Sequence, residues 1–345
     1  MPAAEPVAEA PLDDDEIQDL LSSFHGHPAL VLAVSGGPDS LGLMVAAARW
    51  RALVGEGPVL HVASVDHGLR PEAAGECAMV VKTAGRLGLP AAVLAWDGDK
   101  PATGLQEAAR DARHRLLVTH ARAKGATGIV LAHHREDQAE TVLMRLVRGS
   151  GPLGLKGMAA TAERDGLALL RPFLFVPKAR LAATARAAGL TPVHDPSNDD
   201  PRFTRVRIRR LFRDLAGEGL DAERLAILAG RMQMLDAAGA HHAARLAEAT
   251  MQPAGTQGAQ AYDGLAWLEA PFVDVLRLLA DTIATLGDPE VDARLEALEA
   301  LTGEVLMAIA GGEALRRNLQ GALVSVSPQG RVIVAREPAR RSPRK

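Results

Sequence analysis

The chain of 345 residues is 48% hydrophobic and 23% charged, which is typical of a globular protein with two or three domains. Its formal net charge of −3 excludes a generally basic surface, so any contact with RNA has to come from local patches. The single cysteine, Cys77, excludes an internal disulfide and a cysteine-ligated metal cluster.

The first 15 residues include several acidic side chains and no basic one. This pattern excludes a secretory signal and a transit peptide, and it predicts a disordered acidic tail over residues 1–15. Apolar runs stay well below the roughly 18 residues that are needed to span a bilayer. Together with the lone cysteine, these features lead us to expect a cytoplasmic protein without a membrane partner.

Short apolar runs alternate with helical patterns in the first two thirds of the chain. Strands are predicted over residues 29–34, 59–65, 91–96 and 128–132, with a weaker candidate over 190–194. Helices are predicted over residues 16–24, 71–87, 105–123 and 177–188. The alternation predicts an α/β domain with a doubly wound parallel sheet over residues 16–215, and ligands at the carboxyl ends of its strands.

Residues 216–345 are predicted to form a smaller, mostly helical C-terminal region. Its helices are expected over residues 221–251, 270–283 and 289–301. Two alternating apolar runs, 322–326 and 331–335, flank a turn-forming stretch and predict a terminal hairpin.

A glycine-rich turn follows the first predicted strand. Its residues are Ser35, Gly36, Gly37, Pro38, Asp39 and Ser40. Adjacent glycines let successive backbone N–H groups converge on an anion at the positive end of the next helix, which favours a phosphate. Asp39 would repel that anion unless it held a divalent cation, most simply Mg²⁺. An ordinary strand-to-helix turn is the alternative, although the complete pattern after a buried strand favours nucleotide binding.

A second polar cluster follows the fourth predicted strand. His133, Asp137 and Glu140 are spaced four and three residues apart, so we expect them on one face of the following helix. Stabilisation of carboxylates by the helix dipole is the alternative explanation for this cluster. A zinc site is disfavoured because H-E-x-x-H is absent and no cysteine supports it.

Arginines are concentrated in two places. Arg110 and Arg113 share a helix face, where they either clamp a phosphate or form a solvated stripe. The segment 201–213 carries six arginines and no acid, and its helical pattern also has an apolar face. This absence of interleaved acids favours contact with RNA or a triphosphate.

Five motifs occur in a fixed order along residues 29–213. They are S-G-G-P-D-S at 35–40, D-H-G-L-R at 66–70, A-R-x-x-R at 109–113, A-H-H-x-x-D-Q-x-E-T at 132–141, and D-P-S-N at 195–198 followed by F-T-R-x-R-I-R. In this order they resemble the tRNA(Ile)-lysidine synthetases, a family of PP-loop ATP pyrophosphatases. The resemblance implies that ATP and Mg²⁺ serve to adenylate the C2 oxygen of the wobble cytidine in a tRNA(Ile) with a CAU anticodon. The ε-amine of free L-lysine then displaces AMP.

The resemblance also implies a role for each candidate residue. The glycine-rich turn would bind ATP, with Asp39 as the metal ligand. The residues implied in catalysis are Asp39, Arg113, Asp137 and Glu140. Those implied in lysine binding are His133, Asp137 and Glu140. Those implied in tRNA binding are Arg110, Arg205, Arg207, Arg209 and Arg210, together with the C-terminal region.

Two positions depart from the family pattern, because Val206 stands where asparagine is common and His114 where tyrosine is common. The alternatives are another PP-loop tRNA-modifying or adenylating enzyme, and a non-catalytic tRNA-binding protein on the same fold. Lone Cys77 disfavours thiolation, and the intact Asp39 disfavours a decayed site. The resemblance leaves the oligomeric state open, including a homodimer.

Overall fold

The computed structural model describes residues 10–98, 100–101, 103–193, 204–288, 291 and 294–337. The chain divides into two compact units. Unit 1 comprises residues 1–149 and 154–230, and unit 2 comprises residues 150–153 and 231–345. The division falls at residues 230 and 231, inside a long helix, whereas the sequence placed a domain boundary at residue 215.

Up to residue 250, the described residues form nine α-helices. They are α1 Asp14–Leu20, α2 Pro38–Val54, α3 Ala73–Arg86, α4 Leu105–Ala123, α5 Arg135–Val147, α6 Pro152–Leu155, α7 Lys178–Ala187, α8 Thr204–Gly217 and α9 Ala222–Thr250. The strands of unit 1 are β1 Ala29–Ala33, β2 Val59–Asp66, β3 Ala91–Ala95, β4 Gly128–Val130, β5 Thr161–Arg164 and β6 Leu167–Leu170.

The six strands form one sheet in the order β3-β2-β1-β4-β6-β5. Every pair is parallel except β5 with β6. Leu30 and Leu32 of β1 belong to one apolar cluster, and Val31 and Ala33 belong to another. Because side chains alternate along a strand, this central strand is buried on both faces, which confirms the doubly wound α/β prediction.

The predicted strand over 190–194 is wrong, because residues 190–193 form no strand and His194 lies outside the described residues. The strand that pairs with β4 is β6, which the sequence analysis missed together with β5. These two strands are four residues each, and Asp165 and Gly166 join them with φ values of 55° and 73°. So short a hairpin leaves little periodicity for a sequence pattern to reveal.

The prediction of disorder over residues 1–15 is wrong for residues 10–15, whereas residues 1–9 lie outside the description. Leu12 is buried, and Asp13 forms a reciprocal capping box with Glu16 at the start of α1. The backbone of Leu12 also donates to Thr184 Oγ1 of α7 at 2.9 Å. Capping and burial therefore order an acidic segment whose composition alone predicts disorder.

Helix α2, which starts at the glycine-rich turn, packs closely on α7. A Cβ atom at Gly42 would lie 2.6 Å from the carbonyl oxygen of Leu181. Only glycine therefore permits this approach of the two helices. The close packing fixes the N-terminus of α2 relative to the sheet.

Unit 2 combines helices with an antiparallel sheet. Its further helices are α10 Phe272–Leu286 and α11 Leu295–Gly311, and its strands are β7 Met251–Gln252, β8 Ala259–Asp263, β9 Leu315–Leu319, β10 Ala322–Val326 and β11 Arg331–Arg336. The sheet order is β7-β8-β11-β10-β9. The predicted hairpin is confirmed as β10 and β11, whereas the remaining strands were missed. In the described part of the chain, no helix is both long enough and apolar enough to cross a membrane.

Candidate active site

A cavity of 1140 Å³ lies in unit 1, at the carboxyl ends of β1 and β2. This is the edge of the sheet at which ligands were expected. The lining residues relevant to chemistry include Ser35, Asp39, Arg113, His134, Asp137, Arg209 and Arg210. The structure thus brings the phosphate turn, Asp137 of the acidic cluster and three of the predicted arginines to one cavity.

The glycine-rich turn has a tightly specified backbone. Gly36 has a φ of 86°, and a Cβ atom there would lie 3.3 Å from Met79 Cε, so this position requires glycine. Ser40 Oγ accepts from the backbone N–H of Ser35 at 3.1 Å and donates to the carbonyl of Gly37 at 3.1 Å. With Pro38 in the first turn, α2 begins directly at the cavity. Its first backbone N–H groups are suited to bind an anion.

Asp39 has one carboxylate oxygen engaged and one without a partner. Its Oδ2 lies 3.4 Å from His134 Nε2 and 3.6 Å from Lys178 Nζ. Its Oδ1 is buried and has no hydrogen-bond partner among the described residues. Such an oxygen beside a phosphate turn fits a divalent cation that is also held by phosphate oxygens. The described residues contain no cluster of three or more side chains that would hold a metal unaided.

His134, which the sequence analysis did not select, connects three carboxylates. Its ring nitrogens lie 3.4 Å from Asp39 Oδ2, 3.3 Å from Asp137 Oδ2 and 3.0 Å from Glu136 Oε2. Burial alone would lower the pKa of His134, but the hydrogen bonds to Asp39 and Glu136 and the charge of Asp137 raise it to about 9. At neutral pH the ring is a buried cation that holds Asp39 and Asp137 together.

Loss of this cation should make unit 1 less stable in alkaline solution. The pKa of His134 is about 9 in the folded protein and near 6.5 in a free histidine. A raised pKa stabilises the folded state fully below pH 6.5, and the stabilisation is lost as pH rises through about 9. The free energy of unfolding should be higher for wild type than for His134→Asn. We expect this difference to be larger at pH 6 than at pH 10 by about 3 kcal/mol. Urea unfolding without Mg²⁺ or ATP measures this, and a pH-independent difference would contradict it.

His133 does not share a helix face with Asp137 and Glu140, so that prediction is wrong. His133 precedes the helix, because α5 begins at Arg135 and His134 is its N-cap with an extended backbone. Burial and the positive charges of Arg171, Arg205 and Arg113 lower the pKa of His133 to about 4. The negative charge of Asp137 acts in the opposite direction and would raise it. His133 is therefore neutral at neutral pH.

Glu140 forms an ion pair with Arg209 of α8, at 2.5 Å between Oε1 and Nε. The Glu140 side chain is 6% exposed and that of Arg209 is 37% exposed. Because the acid is the more deeply buried partner, desolvation raises the pKa of Glu140 although Arg209 opposes this shift. The same pair joins α5 to α8, so Arg209, expected to contact tRNA, already has a carboxylate partner.

The other predicted arginines differ in exposure. Arg110, Arg207 and Arg210 are exposed, whereas Arg113 and Arg205 are half-buried. Burial, followed by repulsion from Arg110, lowers the pKa of Arg113. No carboxylate of the described chain forms an ion pair with Arg113, which leaves this guanidinium available to an anion in the cavity.

The departures from the family pattern have structural roles of their own. Val206 is 7% exposed and lines the cavity, and His114 Nε2 lies 2.6 Å from Asp165 Oδ2. His67 and Arg70 of the second motif also line the cavity. The D-P-S-N motif at 195–198 and the following residues to 203 lie outside the described part of the chain.

Comparisons with known proteins show which proteins this chain is similar to. A family model described as the PP-loop domain matches residues 11–215. A tRNA(Ile)-lysidine synthase of Methylobacterium nodulans is 50% identical over 97% of this chain and 99% of that protein. One from a Methylobacterium species is 51% identical over 97% of each chain, and one from Bradyrhizobium diazoefficiens is 45% identical over 96% of each.

Among solved structures, the U34-tRNA thiolase NcsA from Methanococcus maripaludis is similar with a TM-score of 0.54. The match covers 64% of this chain and 78% of that one, at 14% sequence identity. At this identity the likeness concerns the fold alone, and it agrees with the α/β class of unit 1.

Proposed function

Because the chain belongs to the tRNA(Ile)-lysidine synthase family, we propose that it uses ATP to attach L-lysine to the wobble cytidine of a tRNA(Ile) with a CAU anticodon. The observation that supports this most directly is that Asp39 and Asp137 both lie against Nε2 of His134, in a cavity that also contains the phosphate turn. An activating step and a ligating step would thus share one enclosed space.

In the first step, the cytidine C2 oxygen attacks the α-phosphate of ATP and pyrophosphate leaves. The turn from Ser35 to Ser40 binds the phosphates through backbone N–H groups and hydroxyls. Arg113 stabilises negative charge on the reacting phosphate, since it has no carboxylate partner in the described chain. Asp39 Oδ1 would hold Mg²⁺, which neutralises charge on the departing pyrophosphate when it is bound.

In the second step, the lysine ε-amine attacks C2 of the cytidine and AMP leaves. An amine with an ordinary pKa near ~10.4 must lose a proton before it attacks. Asp137 is the proposed base because it lines the cavity, whereas Glu140 is paired with Arg209 and does not. Glu140 would contribute to lysine binding through its negative charge. His134 holds Asp137 in place and gives it a cationic neighbour.

The test is to incubate the purified protein with ATP, labelled lysine and a tRNA(Ile) transcript with a CAU anticodon. We expect label in the tRNA and one AMP for each lysine attached. A transcript with uridine at the wobble position is the matched control and should remain unlabelled. AMP formation that requires another substrate in place of lysine would overturn the proposal.

We further propose that the protein acts in the cytoplasm, that residues 216–345 contribute contacts to tRNA, and that a homodimer is one assembly to examine. The exposed Arg316 on β9 supports a nucleic-acid contact in this region. Sedimentation with and without tRNA would measure the assembly directly.

Exposed arginines of α8 should bind the tRNA backbone. Replacing Arg207 and Arg210 together by glutamine removes two exposed positive charges. We expect weaker tRNA binding and a dependence of log Kd on log salt that is shallower by about one unit for each lost phosphate contact. The matched control replaces two exposed arginines of other helices, Arg86 and Arg115, by glutamine. An equal effect of both double variants would indicate general charge attraction instead of an α8 contact.

A further inference from the structure

Phe175, in the loop 171–177 between β6 and α7, is an exposed aromatic residue of unit 1. Its side chain is 53% exposed. The other phenylalanine and tryptophan residues that the structure describes in this unit are buried or partly buried, namely Phe24, Trp50, Trp96, Phe173 and Phe212. A lone apolar side chain on a surface needs no special explanation, so the use of Phe175 has to be judged from its surroundings.

The backbone on both sides of Phe175 is held in place. Leu174 and Val176 are 1% and 7% exposed. The backbone N–H of Val176 donates to the carbonyl oxygen of Phe173 at 2.9 Å, and the carbonyl oxygen of Val176 accepts from the N–H of Arg135 at 3.0 Å. The loop therefore presents one ring to solvent on a fixed backbone. A contact made by such a ring costs little additional ordering on binding.

The loop places Phe175 next to the cavity. It follows the carboxyl end of β6, and β6, β4 and β1 run parallel, so it lies at the same edge of the sheet as the cavity. Arg135, which is bonded to Val176, directly follows His134, and Lys178 begins α7. His134 and Lys178 line the cavity, whereas Phe175 is not among its lining residues. The exposed ring thus lies beside the proposed reaction space and outside it.

The proposed reaction leaves a nucleobase next to this space without one of its neighbours. An enclosed cavity admits the wobble cytidine only when that base has left the stack of the anticodon loop. The adjacent base then exposes a face that was stacked before. An aromatic side chain can cover such a face, and the phosphates on either side of the base suit positive charge. Lys178, with a side chain that is 45% exposed, supplies such a charge three residues after Phe175.

We propose that Phe175 stacks on the central adenine of the CAU anticodon and so positions the anticodon loop while the wobble cytidine occupies the cavity. This inference rests on the lysine-attaching function proposed above. It makes Phe175 a positioning residue for tRNA, without a part in binding ATP or lysine. A docking protein is the less suitable partner, because Leu174 and Val176 are buried and Phe175 is the one exposed large apolar side chain of this loop.

The test uses a tRNA(Ile) transcript in which 2-aminopurine replaces the central adenine of the anticodon. We expect Phe175→Ala to raise Kd for this tRNA roughly 5- to 100-fold, the loss typical of one stacked base. Phe175→Trp should keep Kd within about twofold of wild type, because it retains an aromatic face, whereas Phe175→Leu should not. At saturating protein, the indole of Phe175→Trp should also quench 2-aminopurine fluorescence relative to Phe175→Ala. A merely structural role would not produce this quenching.

Leu53 provides the matched control, because it is 42% exposed and lies near the end of α2 that is remote from the cavity. Leu53→Ala and Leu53→Trp should leave both Kd and fluorescence unchanged. In every Phe175 variant, KM for ATP and for lysine should stay within about twofold of wild type.

Three results would overturn the proposal. They are wild-type tRNA affinity in Phe175→Ala, full recovery of affinity in Phe175→Leu, and absence of quenching in Phe175→Trp. The first would leave the ring to a protein partner, and the second would indicate an apolar contact without stacking. If the wild-type enzyme attached no lysine to tRNA, the proposed function itself would fail, whatever the Phe175 variants showed.

Discussion

Asp39→Asn should reduce tRNA adenylation by at least about a hundredfold while the protein stays folded. The substitution keeps the size of the side chain but removes the charge of the carboxylate whose Oδ1 has no partner in the described chain. Removal of one electrostatic contact to a reacting phosphate typically costs about 10²–10³ in kcat. The measurement is formation of adenylated tRNA from labelled ATP in the absence of lysine, over a range of Mg²⁺ concentrations.

The matched control for this prediction is Glu136→Gln. Glu136 also contacts His134, at 3.0 Å, and it does not line the cavity. A weakened His134 cluster would therefore affect both variants, whereas loss of a metal ligand would affect Asp39→Asn alone. Wild-type adenylation in Asp39→Asn, with an unchanged Mg²⁺ requirement, would remove the proposed metal role of Asp39.

The parts of the site that follow from local patterns were accessible from the sequence. The turn around Gly36 is such a part, because a positive φ and a close approach leave only glycine as a suitable residue. The alternating clusters on β1 likewise follow from a short apolar run. In both cases the residues that matter are neighbours along the chain, so that spacing carries the information.

Contacts between distant segments were not accessible in this way. His134 is important because β4 pairs directly with β1, which brings its ring to Asp39. The ion pair between Glu140 and Arg209 joins residues that are 69 positions apart. No periodicity encodes such a pair, and the sequence therefore assigned its two members to different substrates. The histidine doublet at 133 and 134 was visible, but only the fold shows which ring faces the carboxylates.

Glu140→Gln should separate the two half-reactions. Glutamine keeps the shape of the side chain and its hydrogen bonding to Arg209, but it removes the negative charge proposed to hold lysine. We expect adenylated tRNA to form normally without lysine, while the lysine concentration needed for transfer rises roughly ten- to a hundredfold, the effect of losing about 1.5 to 3 kcal/mol. Single-turnover assays that follow adenylation and transfer separately provide the measurement.

Arg209→Gln shows whether Glu140 acts on lysine or only fixes α8. If the pair merely joins α5 to α8, either substitution removes the same ion pair, and both variants should weaken adenylation and transfer together. If Glu140 also attracts the substrate ammonium, Arg209→Gln removes a competing cation and leaves the carboxylate in place. Lysine should then bind at least as well as in the wild-type enzyme, and opposite shifts of lysine KM in the two variants would place the negative charge of Glu140 on the substrate.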